Sequence, residues 1–113
     1  MTDTIEMPAA KSALENLEEM LSAAFEQGVS NIPQLRALLH IGTGGRRTVT
    51  EIALHVGLST AAITGTLDRL EAQGFVVRHH DRLDRRKVYA VLTQTGDQFV
   101  SNLLATLANP ELA

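Results

Sequence analysis

The 113 residues contain no cysteine. That absence excludes disulfides, thiolate metal sites, cysteine nucleophiles and cysteine-based redox sensing. Tryptophan is also missing and aromatics make up only 4% of the chain, so the core must be aliphatic. No apolar run approaches the length of a membrane span. Met1 to Met7 is too polar and acidic for a secretory or transit segment, so the expected location is the cytoplasm, with no membrane partner. No nucleophile–base pair or carboxylate pair is spaced for catalysis, so neither an enzyme nor a cofactor is expected. His40, His55, His79 and His80 lack the spacing of a metal site, and no metal ligand is expected. Gly42-Thr43-Gly44-Gly45 lacks the Lys-Ser/Thr pair of a phosphate-binding loop.

What is present is an ordinary globular composition with segregated charge. Hydrophobic residues are 44% and charged residues 20%, enough for one domain. The formal charge of −3 hides two opposed regions. Residues 1–30 carry a net −5, and residues 36–87 a net +4. Salt screens distant charge within roughly 8–10 Å, so a polyanion feels the basic middle and not the acidic start. A chain this short also buries its own surface only moderately well, which favours pairing with a second copy.

Hydrophobic spacing lays out five helices. Leu14, Leu17, Leu21 and Ala24 form a stripe on a helix over 8–27 that stops at Gly28. Asn31 caps a second, with Pro33 in its first turn and Leu35, Leu38, Leu39 and Ile41 on its apolar face. That helix is expected to end in the turn at Gly42–Gly45. Thr48-Val49-Thr50-Glu51 fits a capping box opening a third helix, 49–56, that buries Ile52, Ala53 and Val56. Ser59 caps a fourth, 60–73, with Ile63, Leu67 and Leu70 inward. Residues 75–79 and 87–92 read as two strands of a hairpin around a charged loop. Thr93 caps a last helix, 94–108, with Phe99, Val100, Leu103, Leu104 and Leu107 apolar and Pro110 just beyond it.

Two features carry function. Helices 49–56 and 60–73, joined by Gly57–Ser59, form a helix-turn-helix. The second helix turns Thr60, Ala61, Thr64, Gly65, Asp68 and Arg69 outward. Small and polar side chains let such a helix approach the base edges of a major groove. The hairpin then concentrates Arg78, Arg82, Arg85, Arg86 and Lys87 against only Asp81 and Asp84, an electrostatic site for phosphate. Surface ion pairs are worth about 0–1 kcal/mol each, so stability alone is a weak reason for the cluster. Arg46 and Arg47, at the entry to the third helix, read either as phosphate contacts or as a solvated pair.

The run Leu58 to Arg78, opening Leu58-Ser59-Thr60-Ala61-Ala62-Ile63-Thr64-Gly65 and closing Gly74-Phe75-Val76-Val77-Arg78, resembles the recognition helix and first wing strand of MarR-family regulators. Asp81-Arg82-Leu83-Asp84-Arg85-Arg86, followed by Val91-Leu92-Thr93 and Gly96, is similar to that family's wing signature. Pro33-Gln34-Leu35-Arg36-Ala37-Leu38-Leu39 is similar to its second helix, so the likeness covers roughly residues 32–100. It implies a mainly α (α+β) winged helix-turn-helix with a two-stranded wing. It implies a bacterial, phage- or plasmid-encoded homodimeric regulator of transcription on double-stranded DNA, most simply a repressor. Major-groove contacts would fall on Ser59, Thr60, Ala61, Thr64, Gly65 and Arg69. Wing contacts at the minor groove would fall on Arg82, Arg85 and Arg86, with Asp84 supporting an arginine.

The family dimerises through its end helices, which places the interface on Leu14, Leu17, Leu21, Phe99, Leu103, Leu104 and Leu107. The organisation expected is an N-terminal dimerisation helix within 1–30, the DNA-binding region 31–93 and a C-terminal dimerisation helix within 94–113, all in one domain. The chain departs from the family in two ways. Gly65 stands where members often carry a larger or basic residue. A further C-terminal helix common in the family has no counterpart here, so the dimer interface and any effector pocket are expected to be reduced. Whether a small-molecule effector takes part is open. Two other readings of the same residues stay open, an architectural or partition-type DNA-binding protein and a winged-helix interaction module.

Overall fold

A computed structural model describes residues 8–108. Met1, Met7 and Pro110, on which the sequence reading touched, lie outside the described residues. The order is α1 (Pro8–Glu26), α2 (Ile32–Gly44), β1 (Arg47–Thr48), α3 (Val49–Val56), α4 (Thr60–Ala72), β2 (Val76–His80), β3 (Val88–Leu92) and α5 (Gln94–Ala108).

Local chemistry sets most of these boundaries. The Asn31 side chain accepts from the Gln34 amide at 2.9 Å and starts α2. The Thr48 hydroxyl accepts from the Glu51 amide at 3.0 Å, while the Glu51 carboxylate accepts from the Thr48 amide at 2.8 Å. This reciprocal box fixes the first turn of α3, and those bonds hold the Glu51 carboxyl below its usual pKa. Gly57, at φ 83°, leaves α3 through the left-handed region. Ser59 caps α4 by accepting from the Ala62 amide, and Thr93 does the same for α5 through Gly96.

Two expectations change. Helix α2 runs through Gly44 rather than breaking at Gly42. The Thr43 hydroxyl bonds back to the Leu39 carbonyl at 2.8 Å, and the Arg47 Nε donates to the His40 carbonyl at 3.3 Å, so side chains satisfy the last turn. The wing hairpin is also not alone. Arg47 and Thr48 form a short strand pairing with Ala90 and Tyr89, which makes a three-stranded antiparallel sheet in the order β1-β3-β2. Because β1 leads straight into α3, the sheet is tied to the helix-turn-helix at its base.

The core lies between α2, α3, α4 and the sheet, with Leu38, Ile52, Ile63, Leu67, Leu70 and Ala90 fully enclosed. Helices α1 and α5 pack on each other beside it, joined by an Asn16 to Leu107 carbonyl bond of 2.9 Å. Gln73, ending α4, donates to the Gly28 carbonyl at 2.7 Å and ties α4 to the end of α1. The molecule measures 56 × 30 × 22 Å with a radius of gyration of 16.1 Å. A compact chain of about 100 residues has a radius near 13 Å, so this one is elongated.

Elongation leaves apolar surface uncovered. Leu14, Leu17, Leu21, Leu104 and Leu107 are exposed along α1 and α5, and Phe25 and Ile32 extend the patch at the α1–α2 corner. Phe99 and Leu103 do not join it. Both are buried, and the Phe99 ring stacks on Phe75 with centroids 4.6 Å apart. They belong to the inner side of α5, so of the seven residues expected at an interface only the five leucines are exposed.

Candidate nucleic-acid interface

Helix α4 holds its inner face with Ile63, Leu67 and Leu70, and this fixes what faces outward. Ser59, Thr60, Ala61, Gly65 and Arg69 are exposed and Thr64 is half-buried. No atom lies within 4 Å of where a Cβ on Gly65 would stand, so the fold itself does not require glycine there. The Thr64 hydroxyl donates to the Thr60 carbonyl at 2.8 Å, which leaves its oxygen with lone pairs to accept. The surface of α4 is thus smooth and nearly free of bulk.

The wing is organised by its two aspartates. The Asp81 carboxylate accepts from the Leu83 and Asp84 amides at 2.8 and 3.0 Å and closes the turn, and these bonds lower its pKa. Asp84 accepts from the Arg86 Nε and amide, both at 3.1 Å. The Arg86 side-chain bond, then its backbone bond, keep the Asp84 carboxyl ionised below its ordinary range. Asp84 therefore holds the Arg86 guanidinium beside it. Arg82 and Arg85 are exposed and have no carboxylate partner among the described residues.

Between α4 and the wing lies a cleft of about 450 Å³. Thr48 lines it from β1 and Thr50 from α3, Thr60 and Thr64 from α4, and Arg78, Arg86 and Lys87 from the wing. Hydroxyls and cations around a groove open to solvent suit a phosphate backbone. Lys87 was counted among the wing cations in the sequence. Thr50 was not singled out as a site residue, and its signal was positional, since it sits in the first turn of a capped helix.

Arg46 and Arg47, read from the sequence as phosphate contacts or as a solvated pair, are both engaged within the protein. The Arg47 side chain folds back over Gly44 onto the end of α2. The Arg46 guanidinium lies 4.0 Å above the Tyr89 ring, a cation–π contact. Strand alternation puts Tyr89 on the opposite side of the sheet from Ala90 and the helices, so Arg46 is turned away from α4. Away from the cleft, a second concavity of about 320 Å³ opens between α1 and α5, lined in part by Ala23, Phe75, Phe99 and Asn102. No group of three or more metal-ligating side chains occurs among the described residues, and no helix among them is long and apolar enough to cross a membrane.

Comparison with known proteins agrees with this geometry. Residues 27–87 match the family model described as MarR family. The chain is 38% identical over 73 residues to the uncharacterized HTH-type transcriptional regulator YfiV of Bacillus subtilis, covering 65% of this chain and 46% of that one. It is 36% identical over 87 residues to the HTH-type transcriptional repressor MdtR of the same organism, covering 77% and 56%. The chain thus spans about half the length of these curated relatives. Its fold superposes on the crystal structure of the YusO protein from Bacillus subtilis with a TM-score of 0.72 and 28% identity, covering 92% of this chain and 74% of that one.

Proposed function

Since the chain belongs to the MarR family, we propose that it is a sequence-specific double-stranded DNA-binding regulator of transcription, acting as a homodimeric repressor. Helix α4 enters a major groove and the wing follows the backbone toward the adjacent minor groove. The observation that carries this reading is the cleft, where the uncrowded face of α4 and the aimed Arg86 border one groove. Ser59, Thr60, Ala61, Thr64, Gly65 and Arg69 read or approach bases, while Arg82, Arg85 and Arg86 neutralise phosphates or enter the minor groove. The named relatives are transcriptional regulators, and no catalytic role is proposed.

Dimerisation supplies the second half-site. The leucines exposed on α1 and α5 form an apolar stretch of the kind that marks a protein contact. Two-fold pairing through them places two α4 helices about one turn of duplex, roughly 34–36 Å, apart. Selection of bound sites from random duplex DNA tests this. The expected product is an inverted repeat with half-sites about 10 base pairs apart; recovery of unrelated sequences without symmetry would overturn it.

A further inference from the structure

Arg78 counts among the wing's positive charges in the sequence, yet the structure commits it inward. Its Nη2 lies 2.5 Å from the Asp68 carboxylate and its Nε 2.9 Å from the Glu71 carboxylate. Its side chain is only 22% exposed, whereas Arg86 is 91% exposed. Burial works against the Arg78 charge, but the two carboxylates outweigh it and raise its pKa.

The placement of these three residues is specific. Asp68 and Glu71 stand three apart on one side of α4, in its second half. Arg78 stands in the middle of β2, opposite Ala90. Between them the chain turns sharply at Gly74, whose φ is 84°. The guanidinium therefore spans the corner between α4 and β2. On the other side of the hairpin, β1 pairs with Ala90 and Tyr89 and ties the same level of the wing to α3. Beyond that level the hairpin projects to Leu83, five residues past Arg78.

We propose that Arg78 is a positioning residue that locks the wing to α4 and so sets the spacing between the major-groove and minor-groove contacts. This rests on the DNA-binding reading above. Leverage gives the lock its effect. Two further strand residues and the turn that Asp81 closes reach roughly 10 Å, so a swing of about 20° at the corner moves the wing tip by roughly 3 Å. One base pair advances the duplex by about 3.4 Å. An unbraced wing would accept sites displaced by a base pair, and a braced one would not. Water still reaches the Asp68 and Glu71 carboxylates, 59% and 41% exposed, so these pairs contribute little to stability, which leaves geometry as the stronger reason for both to converge on one arginine.

The test uses the full chain with the selected duplex and with versions that insert or delete one base pair between the α4 site and the wing site. Wild type should lose about tenfold or more in affinity on the shifted duplexes, the scale of a base mismatch. Arg78→Gln and the double variant Asp68→Asn, Glu71→Gln should each lose most of that discrimination. The two variants change charge in opposite directions, so their overall affinities should diverge while their tolerance of spacing agrees. Backbone NMR relaxation without DNA should show residues 79–87 more mobile in both. Unchanged relaxation, or full spacing discrimination with a uniform loss of affinity in Arg78→Gln, would overturn the lock and make Arg78 a plain phosphate ligand or a passive ion pair. A wild type with no sequence preference but with a wing loosened by Arg78→Gln would overturn the DNA-reading proposal instead.

Discussion

His40 and His55 lie ring on ring, centroids 3.8 Å apart and planes 5° from parallel, where the end of α2 meets the end of α3. Desolvation lowers the His40 pKa, and the nearby His55, Arg47 and Arg36 lower it further against the opposing Glu51. Arg36 is held there by bonds to the His55 and Val56 carbonyls at 3.0 and 3.2 Å. The folded state thus resists the proton more than the unfolded chain does. Stability from this site is complete above the ordinary value of 6.5 and falls as pH drops through the lower folded value. The urea midpoint should decline from pH 7 to pH 5, and His40→Gln should flatten that decline. An equal decline in the variant would place its source elsewhere.

Two glycines should respond oppositely to alanine. At Gly65 the added methyl meets nothing, so Gly65→Ala should raise stability by up to about 1 kcal/mol. The same change should weaken binding to the selected duplex, because α4 would stand further from the bases. At Gly96 the methyl would collide with the Phe75 carbonyl oxygen, part of the backbone, and Gly96→Ala should cost about 1–3 kcal/mol or more. Thermal melts of both variants, with binding measured for Gly65→Ala, check these signs.

The leucines of the end helices separate into two kinds. Leu103 is buried in the protomer, and Leu103→Ala should cost about 2–5 kcal/mol of unfolding free energy. Leu17 is 41% exposed, so Leu17→Asp should leave the protomer folded but halve the mass seen in sedimentation. A Leu17→Asp protein that stays dimeric would move the interface off α1.

In the wing, Arg85→Ala and Arg86→Ala should each reduce the log–log salt slope of binding by about 1 if each contacts one phosphate. Arg46→Ala, whose guanidinium stacks on Tyr89 instead, should leave the slope unchanged. A fall in slope for Arg46→Ala equal to that for Arg86→Ala would show that Arg46 swings onto the duplex.

Much of this fold was legible because it is written locally. Asn31, Thr48, Ser59 and Thr93 each cap a helix within three residues, and a capping box is readable wherever it stands. Strand β1 was not legible. Two residues, Arg47 and Thr48, become a strand only because Ala90 and Tyr89 lie alongside, some forty positions later. Helix α5 misled for a different reason. Phe99, Leu103, Leu104 and Leu107 share one apolar count, and only packing against Phe75 and α1 shows which look inward. Charge counting likewise could not separate Arg86, aimed outward by its neighbour Asp84, from Arg78, claimed by carboxylates seven and ten residues before it.

The most direct measurement is the ratio of affinities for the selected inverted repeat and for a scrambled duplex of equal length, taken at about 150 mM salt. A ratio of about a thousandfold or more is expected for a specific regulator. A ratio near one would contradict base reading by α4.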